Sequence, residues 1–218
     1  MTYSIDYLLS EEYAYKRANL IKDNAILPTI SKPQSGGTVY LATADKWGNM
    51  VSYIQSNYTQ FGSGIVIPNT GISLHNRGCN FSLNEKSDNY IMPNKRPYHT
   101  IIPGFLMHND KAVGPFGVMG AFMQPQGHLQ VLLSTIIEGL NPQDALNKPR
   151  WQWVGDKIIE FEDSYDKDII NRLNDIGHNT IIKKDSSTFG RGQIIWKNDA
   201  NIYCGGCDPR TDSNIAIW

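Results

Sequence analysis

The chain has 218 residues, of which 40% are hydrophobic and 19% charged, values typical of a globular protein with a substantial core. Its 20 basic and 21 acidic residues leave a net charge of −1, so the composition gives no reason to expect nucleic acid or an anionic membrane as a partner. No apolar run is long enough for a transmembrane helix, and three cysteines are too few for a disulfide scaffold. The first residues do not resemble a signal peptide, and we therefore expect a cytoplasmic protein.

The first predicted element is a helix that begins after Ser10. Ser10 can act as its N-cap, and Glu11 and Glu12 occupy the first turn, where the helix dipole favours acids. Residues 28–37 contain two prolines and two glycines, which indicates a linker or an exposed loop. The hydrophobic period then changes to two, so residues 38–57 are predicted to form a β-hairpin with its turn at DKWGN.

Further strands alternate with helices along the rest of the chain. A short strand is predicted near 71–76, and others in IIPGFLMH, VGPFGVMG, KIIEFE, HNTIIKK and GQIIWK. The strongest helix pattern covers 124–140, Asn141 caps a second helix, and a third helix over 164–176 stops at Gly177. These elements predict an α+β fold with two sheets or one large sheet. The predicted apolar face of the strongest helix consists of Leu129, Leu132, Leu133, Ile136 and Ile137.

The sequence Gly36-Gly37-Thr38 lies at the boundary between the predicted loop and the first strand. A threonine hydroxyl is a poor nucleophile without a base beside it. A threonine at a newly formed N-terminus has such a base in its own α-amino group, whose unperturbed pKa is about 8. A flexible glycine pair before it would let the peptide bend for an N-to-O acyl shift. The same residues could equally open an ordinary strand, and on their own they leave both interpretations open.

Five segments of the chain resemble, in order and spacing, the small subunit of the γ-glutamyltranspeptidase family. They are TVYLATADKWGNMVSYIQSNYTQFGSGIVIP from residue 38, NKRP at 94–97, GVMGAFMQPQG at 117–127, ALNKPRW at 145–151 and CDPRTD at 207–212. The likeness is greatest to the transpeptidase-like or acylase-like branch. It implies the αββα sandwich of N-terminal nucleophile hydrolases, a precursor that cuts itself before the threonine, a small amide substrate and no cofactor.

The resemblance implies catalytic roles for a small set of positions. Thr38 matches the nucleophile and new N-terminus, and Gly37 would contribute the carbonyl that is cut. Ser56 falls where the family has a hydroxyl that hydrogen-bonds the nucleophile, although it could be an ordinary strand serine. Gly120 and Ala121 fall on a Gly-Gly pair whose amides stabilise the oxyanion, although a plain turn is the alternative. Alanine keeps its N–H, so the oxyanion hole survives unless the backbone there needs a positive φ.

The positions that would recognise a γ-glutamyl group depart from the family pattern. His99 and Thr100 stand in place of two serines, and Cys79 in place of the acid that would pair with the substrate α-ammonium. Arg77 falls on the preceding glutamine position, and Tyr58 on another polar ligand position. Arg77 and His99 could face an anionic or differently shaped acyl group, or they could be a surface arginine and a structural histidine. Hydrolysis is therefore expected rather than transpeptidation.

The residues before Thr38 resemble only the tail of the family's large subunit. We expect 1–37 to be that tail with the pre-cleavage linker, and 38–218 to be the nucleophile domain. A separate large-subunit polypeptide, or self-association, would then complete the fold; the alternative is a truncated, non-catalytic remnant with a binding or structural role. Cys204 and Cys207 have the spacing of a redox or zinc pair, but no second pair accompanies them, and we expect no metal.

Overall fold

A computed structural model describes residues 4–27 and 37–218 of the chain. Most of the predicted loop at 28–37, including Gly36, lies outside the described residues. None of the helices in the two described ranges has the length and apolar character of a membrane-spanning helix. The helices are α1 (Ile5–Leu8), α2 (Glu11–Ala18), α3 (Met123–Ile136), α4 (Pro142–Asn147) and α5 (Lys167–Asp175). The strands are β1 (Gly37–Ala44), β2 (Met50–Tyr58), β3 (Gly104–His108), β4 (Lys111–Met119), β5 (Trp151–Gly155), β6 (Ile158–Glu162), β7 (Asn179–Lys183), β8 (Arg191–Lys197) and β9 (Tyr203–Cys207).

The described strands form three sheets, which confirms the α+β class but not the expected one or two sheets. β1 and β2 form the predicted antiparallel hairpin. A second, antiparallel sheet has the strand order β3-β4-β8-β9. The third has the order β5-β6-β7, with β6 and β7 parallel. Helix α5 lies between β6 and β7 in the chain, because a parallel pair needs a crossover rather than a tight turn.

The hairpin packs with one face on the four-stranded sheet. The ring of Tyr40 on β1 covers Gly117 on β4 so closely that a Cβ at Gly117 would lie 2.5 Å from it. The Tyr40 hydroxyl is 2.9 Å from Ser52 Oγ, which in turn donates to the Gly104 carbonyl at 2.7 Å. Burial raises the pKa of Tyr40 to about 12, so this hydroxyl keeps its proton at physiological pH. Because any side chain at Gly117 would collide with the Tyr40 ring, a glycine is required there for the hairpin to pack on the four-stranded sheet.

Helix α3 covers the opposite side of β4. Gly127 lies against Val118, where a Cβ would come within 2.8 Å of the valine side chain. His128 accepts a hydrogen bond from the Val118 amide at 3.0 Å through Nε2. Burial lowers the pKa of His128 to about 4, so the ring is neutral at pH 7. The core between helix and sheet consists of Phe116, Val118, Val131, Leu146, Ile194 and Trp196.

The predicted apolar face of α3 is present, but of its five residues only Leu132 packs against the core on the sheet. The buried residues of α3 are Met123, Gln124, Gly127, His128, Val131 and Ser134. Gly127 among them lets the helix approach β4 closely. The row formed by Leu129, Leu133, Ile136 and Ile137 is instead 47–74% exposed. The outer face of the hairpin is similarly apolar and exposed, at Val39, Leu41, Val51 and Tyr53.

Local capping predictions are confirmed, whereas one strand prediction is wrong. Ser10 Oγ accepts from the Tyr13 amide at 3.1 Å, and Asn141 caps α4. The predicted helix after Ser10 is α2, which ends at Ala18. Residues 71–76 form no strand; their only β pairing is an isolated bridge at Ser73, because left-handed turns at glycines break up this region.

Candidate active site

Thr38 lies in an irregularity at the start of the hairpin. Gly37 pairs with Tyr58 and Val39 pairs with Gln55, so Thr38 alone stands opposite two residues of β2. A bulge of this kind bends the strand and re-aims a side chain. Thr38 is 7% exposed whereas its neighbour Val39 is 65% exposed, which places Thr38 on the face of the hairpin that packs inward.

Ser56 is one of the two residues across the bulge from Thr38. Its Oγ accepts a hydrogen bond from the Tyr58 amide at 2.8 Å. Tyr58 ends β2 with a φ of +77°, a conformation that favours glycine and that holds this end of the strand in a turn. The structure therefore brings Thr38 and Ser56 together at one end of the hairpin.

Arg77 lies on a single 3₁₀ turn (Arg77–Asn80) and is 1% exposed. Its Nη1 donates to Thr100 Oγ1 at 2.8 Å, and its Nη2 donates a longer hydrogen bond, of 3.5 Å, to the Ser56 carbonyl. The guanidinium carbon lies 5.2 Å from the centre of the Tyr58 ring, within cation–π distance. Four candidate site residues that lie far apart in the sequence are thus neighbours in the structure: Ser56, Tyr58, Arg77 and Thr100.

In the described part of the chain, no acid balances the charge of Arg77. Within residues 4–27 and 37–218 no carboxylate lies within ion-pair distance of it, and its buried Nε has no hydrogen-bond partner. Burial lowers the pKa of the guanidinium, although an arginine stays protonated. The pKa of His99 is lowered by partial burial and then by the positive charge of Arg77, with smaller effects from His75 and Arg96. Cys79 and His99 are both exposed; Cys79 lies close to Arg77, and His99 lies close to Arg77, His75 and Arg96.

Gly120 and Ala121 form the approach to helix α3. Gly120 has a φ of +145°, and Ala121, which is 1% exposed, has a φ of +50°. The backbone at Ala121 therefore does need a positive φ, and alanine adopts it at a cost of roughly 1–2 kcal/mol. Among the described residues, neither amide donates to a protein acceptor. Both precede the positive end of the helix dipole, where an oxyanion is favoured.

The segment around Thr100 connects Arg77 to this amide pair. The Ile102 amide donates to Gln124 Oε1 at 3.1 Å, in the first turn of α3. The Tyr98 ring stacks on Phe122, with centroids 5.5 Å apart and planes inclined by 10°. Gln124 is fully buried and its Nε2 has no hydrogen-bond partner among the described residues. A continuous set of contacts therefore runs from the bulge at the start of the hairpin to the entrance of α3.

Sequence reasoning missed a network of buried charges formed by Arg150, Glu162, Asp208 and Arg210. Arg150 Nη2 lies 2.7 Å from Asp208 Oδ2, and Arg210 donates to Asp208 Oδ1 at 3.1 Å and to Glu162 Oε1 at 2.7 Å. The segments NKPRW and CDPR carry three of these four charged residues, but their sequence alone does not show that the three meet. Arg150 also donates to the Gly190 carbonyl at 3.1 Å. The Gly190 backbone lies against Gly120, so the network supports the amide pair from behind.

The two cysteines of the C-terminal CGGC do not form a site. Both thiols are free, and both lie on strand β9, three residues apart. Residues with this spacing point to opposite faces of a strand. Within the described ranges, no group of three or more His, Cys, Asp or Glu side chains is arranged to hold a metal ion.

The whole chain, residues 1–218, matches the family model of gamma-glutamyltranspeptidase. It is 35% identical to the glutathione hydrolase-like YwrD proenzyme of Bacillus subtilis, over 95% of this chain and 41% of that protein. It is 32% identical to the oxamate amidohydrolase proenzyme of Klebsiella pneumoniae, over 97% of this chain and 41% of that protein. The solved structure of cephalosporin acylase from Bacillus halodurans aligns with a TM-score of 0.90 at 53% identity, covering all of this chain and 40% of that one.

The fold is therefore the α+β architecture of the N-terminal nucleophile hydrolases, and the related proteins are hydrolytic enzymes. The chain belongs to the γ-glutamyltranspeptidase family. It spans about two fifths of the length of the curated relatives that it matches.

Proposed function

We propose that the protein is a threonine N-terminal nucleophile amidohydrolase that acts on a small amide and matures by cleavage before Thr38. The observation that carries this proposal is the bulge in which Thr38 stands opposite Ser56, beside a buried arginine and connected through Thr100 to the amide pair at 120–121. The names of the relatives support it, since amidohydrolase, glutathione hydrolase and acylase all describe the cleavage of an acyl–nitrogen bond.

Maturation would use the same hydroxyl as catalysis. Thr38 Oγ attacks the Gly37 carbonyl, and the acyl group moves from nitrogen to oxygen as an ester. Water then hydrolyses that ester, leaving a carboxylate on Gly37 and a free α-amino group on Thr38. This amine, with an unperturbed pKa of about 8, can accept a proton near neutral pH.

In the mature enzyme, Thr38 Oγ attacks the substrate carbonyl and its proton passes to the α-amino group. The tetrahedral oxyanion accepts hydrogen bonds from the amides of Gly120 and Ala121, a contribution of about 3–4 kcal/mol per donor in comparable sites. The C–N bond breaks as the leaving amine takes the proton. Water attacks the resulting ester and gives a proton to the α-amino group, which passes it to Thr38 Oγ as the ester C–O bond breaks and the acid leaves. Ser56 would orient the nucleophile throughout.

We also propose that maturation divides the chain into residues 1–37 and 38–218, and that a further polypeptide completes the fold. The support is the amount of apolar surface that the described residues leave uncovered on α3 and on the outer face of the hairpin. The opposite face of α3 and the opposite face of the hairpin both pack on the four-stranded sheet. The expressed chain should therefore co-purify with a second polypeptide or self-associate.

Intact-mass measurement and N-terminal sequencing test the proposed maturation. The protein, purified with its complete complement of polypeptide, should contain a fragment that begins TVYLA. Thr38→Ala should abolish this cut, whereas Thr38→Ser should retain it at a changed rate, because serine keeps the hydroxyl. A wild-type protein that is fully assembled, folded and still uncleaved would overturn the proposal.

A further inference from the structure

We propose that Tyr40 is a positioning residue, whose ring rests on the bare backbone of Gly117 and sets the distance between the nucleophile and the oxyanion amides. This inference rests on the proposed function, and it identifies the contact in the fold that brings the two parts of that machinery to reacting distance. Tyr40 and Gly117 act through the strands that carry Thr38 and lead to Gly120.

The proposed nucleophile and the proposed oxyanion hole belong to different layers of the fold. Thr38 lies on β1 of the hairpin, whereas Gly120 and Ala121 directly follow β4 of the four-stranded sheet. The amide pair is held in its own layer, because a Cβ at Gly120 would lie 3.1 Å from the Gly190 Cα and 3.3 Å from the Met123 Cβ. The distance from Thr38 Oγ to these amides therefore depends on how closely the hairpin packs on the sheet.

Tyr40 lies at the interface between the two layers. Thr38 and Tyr40 are each 7% exposed, whereas Val39 between them is 65% exposed, so Thr38 and Tyr40 share the inward face of β1. Three consecutive atoms of the Tyr40 ring lie 2.5–2.8 Å from the point where a Cβ of Gly117 would be. The ring thus rests directly on the backbone of β4, three residues before Gly120.

The thickness of this contact decides the geometry of the site. Carbon atoms that are not bonded to each other pack at about 3.5–4.0 Å, so a methyl group on Gly117 would push the Tyr40 ring away by about 1 Å. The contact is close to both reacting groups, because two or three residues of extended strand span only about 7–10 Å. A displacement of about 1 Å lowers the rate of a positioned reaction by as much as about 100-fold.

The hydroxyl of Tyr40 anchors the ring in place. It lies 2.9 Å from Ser52 Oγ on β2, and Ser52 donates to the Gly104 carbonyl on β3 at 2.7 Å. These contacts link both strands of the hairpin to the sheet. Because burial raises the pKa of Tyr40 to about 12, the hydroxyl stays neutral at the pH of an assay. Its contribution is therefore geometric, and it should appear in kcat without a change in the pH profile.

Two substitutions change the spacing from opposite sides of the contact. Gly117→Ala adds the methyl group that the ring excludes, and Tyr40→Val removes the three ring atoms nearest Gly117 while keeping a side chain that favours a strand. In the mature, fully assembled protein, each should lower kcat by about 10- to 100-fold and leave KM nearly unchanged. The double variant has room for the new methyl group, so its kcat should exceed that of Gly117→Ala by about 10-fold.

The probes are glutaryl and γ-glutamyl p-nitroanilides, and kcat is compared on whichever of them the wild-type protein hydrolyses. Self-cleavage provides a second readout, which a purely structural defect would change as well. The groups that react in it, Thr38 Oγ and the Gly37 carbonyl, belong to adjacent residues of β1. Their separation does not depend on how the hairpin packs on the sheet. All three variants should therefore still yield the fragment that begins TVYLA.

Tyr40→Phe and Gly206→Ala are the matched controls. Phenylalanine keeps the ring and loses only the hydroxyl, so Tyr40→Phe should retain most of kcat and the wild-type pH profile. Gly206 meets a similar obstruction elsewhere in the sheet, since a Cβ there would lie 2.7 Å from the Pro142 carbonyl carbon at the start of α4. Gly206→Ala should therefore lower stability, as Gly117→Ala does, but leave kcat unchanged.

The outcomes separate this inference from the proposed function. A matured Gly117→Ala or Tyr40→Val protein with wild-type kcat would overturn the inference, as would losses that simply multiply in the double variant. If Gly117→Ala does not fold, Tyr40→Val decides alone, and a kcat equal to that of Tyr40→Phe would overturn the inference. Loss of self-cleavage together with turnover in Tyr40→Val would show a structural role instead. A wild-type protein that neither cleaves itself nor hydrolyses either anilide would contradict the proposed function and this inference with it.

Discussion

Two buried arginines of this protein have opposite environments. Arg150 donates to Asp208 and to the carbonyls of Phe189 and Gly190, and the neighbouring Arg210 shares both Asp208 and Glu162. Arg77 is as little exposed to solvent, although less protein surrounds it, and its acceptors among the described residues are all neutral. Solvent exposure therefore does not distinguish the two residues, whereas their counter-ions do.

From this difference we expect that Arg150 stabilises the fold and that Arg77 contributes less to its stability. The charges around Arg150 are satisfied inside the chain, and the network ties the C-terminal DPR segment to strand β6 and to the backbone behind Gly120. The charge of Arg77 has no acidic partner among the described residues. The comparison predicts that removing charge harms folding more at the first place than at the second.

Breaking the balanced network should have the largest effect on stability. Asp208→Asn removes one partner of a buried pair and leaves Arg150 uncompensated, so the free energy of unfolding should fall by about 3–5 kcal/mol. Arg77→Met, which deletes an unbalanced charge, should change it by no more than about 1 kcal/mol. Denaturant titration of the assembled protein measures both.

The exposed pair Lys148–Glu138 provides a control for this experiment, since both side chains are more than 40% exposed. Glu138→Gln should cost about 0.5 kcal/mol or less, because solvent screens the pair. If Arg77→Met were as destabilising as Asp208→Asn, Arg77 would be a structural residue and the comparison would lose its meaning.

His128 extends the comparison to a buried basic group that carries no charge. Its folded pKa of about 4 is below the unfolded value of 6.5, so the unfolded state binds more protons between these values. The stability that His128 contributes is therefore complete above pH 6.5 and is lost as the pH falls towards 4, by about 3 kcal/mol in total. His128→Gln, whose side-chain oxygen can still accept from Val118, should flatten this part of the pH profile of stability. An unchanged slope would show that another group is responsible.

Local signals explain what could be predicted from the sequence. Ser10 and Asn141 cap their helices through hydrogen bonds that span three residues, and the hairpin joins strands separated by a short turn. Candidate positions at the active site could be named only through the family resemblance. Their contacts were beyond reach, because the Arg77–Thr100 bond spans 23 residues and the Arg150–Asp208 pair spans 58.

The apolar face of α3 is largely exposed for a specific reason. A row of leucine and isoleucine is ordinarily assigned to the core. Here the close approach of α3 to β4 requires small residues such as Gly127, and the apolar row lies on the opposite side. Sequence periodicity identified an apolar face correctly but could not decide which neighbour that face meets.

Adding an acid beside Arg77 should convert the unbalanced site into a balanced one. Cys79→Asp places a carboxylate on the same 3₁₀ turn, at the position where the family resemblance expects an acid that pairs with a substrate α-ammonium. We expect turnover of a γ-glutamyl anilide to rise relative to that of the des-amino glutaryl anilide by about 10-fold, which corresponds to about 1.4 kcal/mol. Cys79→Asn, of the same size but uncharged, is the control and should change this ratio little.

The smallest expected effect concerns Ala121, which the Arg150 network supports through Gly190 and Gly120. Alanine is strained at a φ of +50°, whereas glycine adopts this conformation freely. Ala121→Gly should therefore raise the free energy of unfolding by up to about 1 kcal/mol and keep the amide that the proposed oxyanion hole requires.

The matched control is Ala145→Gly within α4, where alanine is favoured and the change should destabilise by about 1 kcal/mol or more. Denaturant midpoints for both variants and kcat for Ala121→Gly decide the question. A stabilised Ala121→Gly protein with unchanged turnover would show that the left-handed backbone, rather than the methyl group, is what the site needs at this position; a destabilised one would show that the buried methyl contributes more than the strain costs.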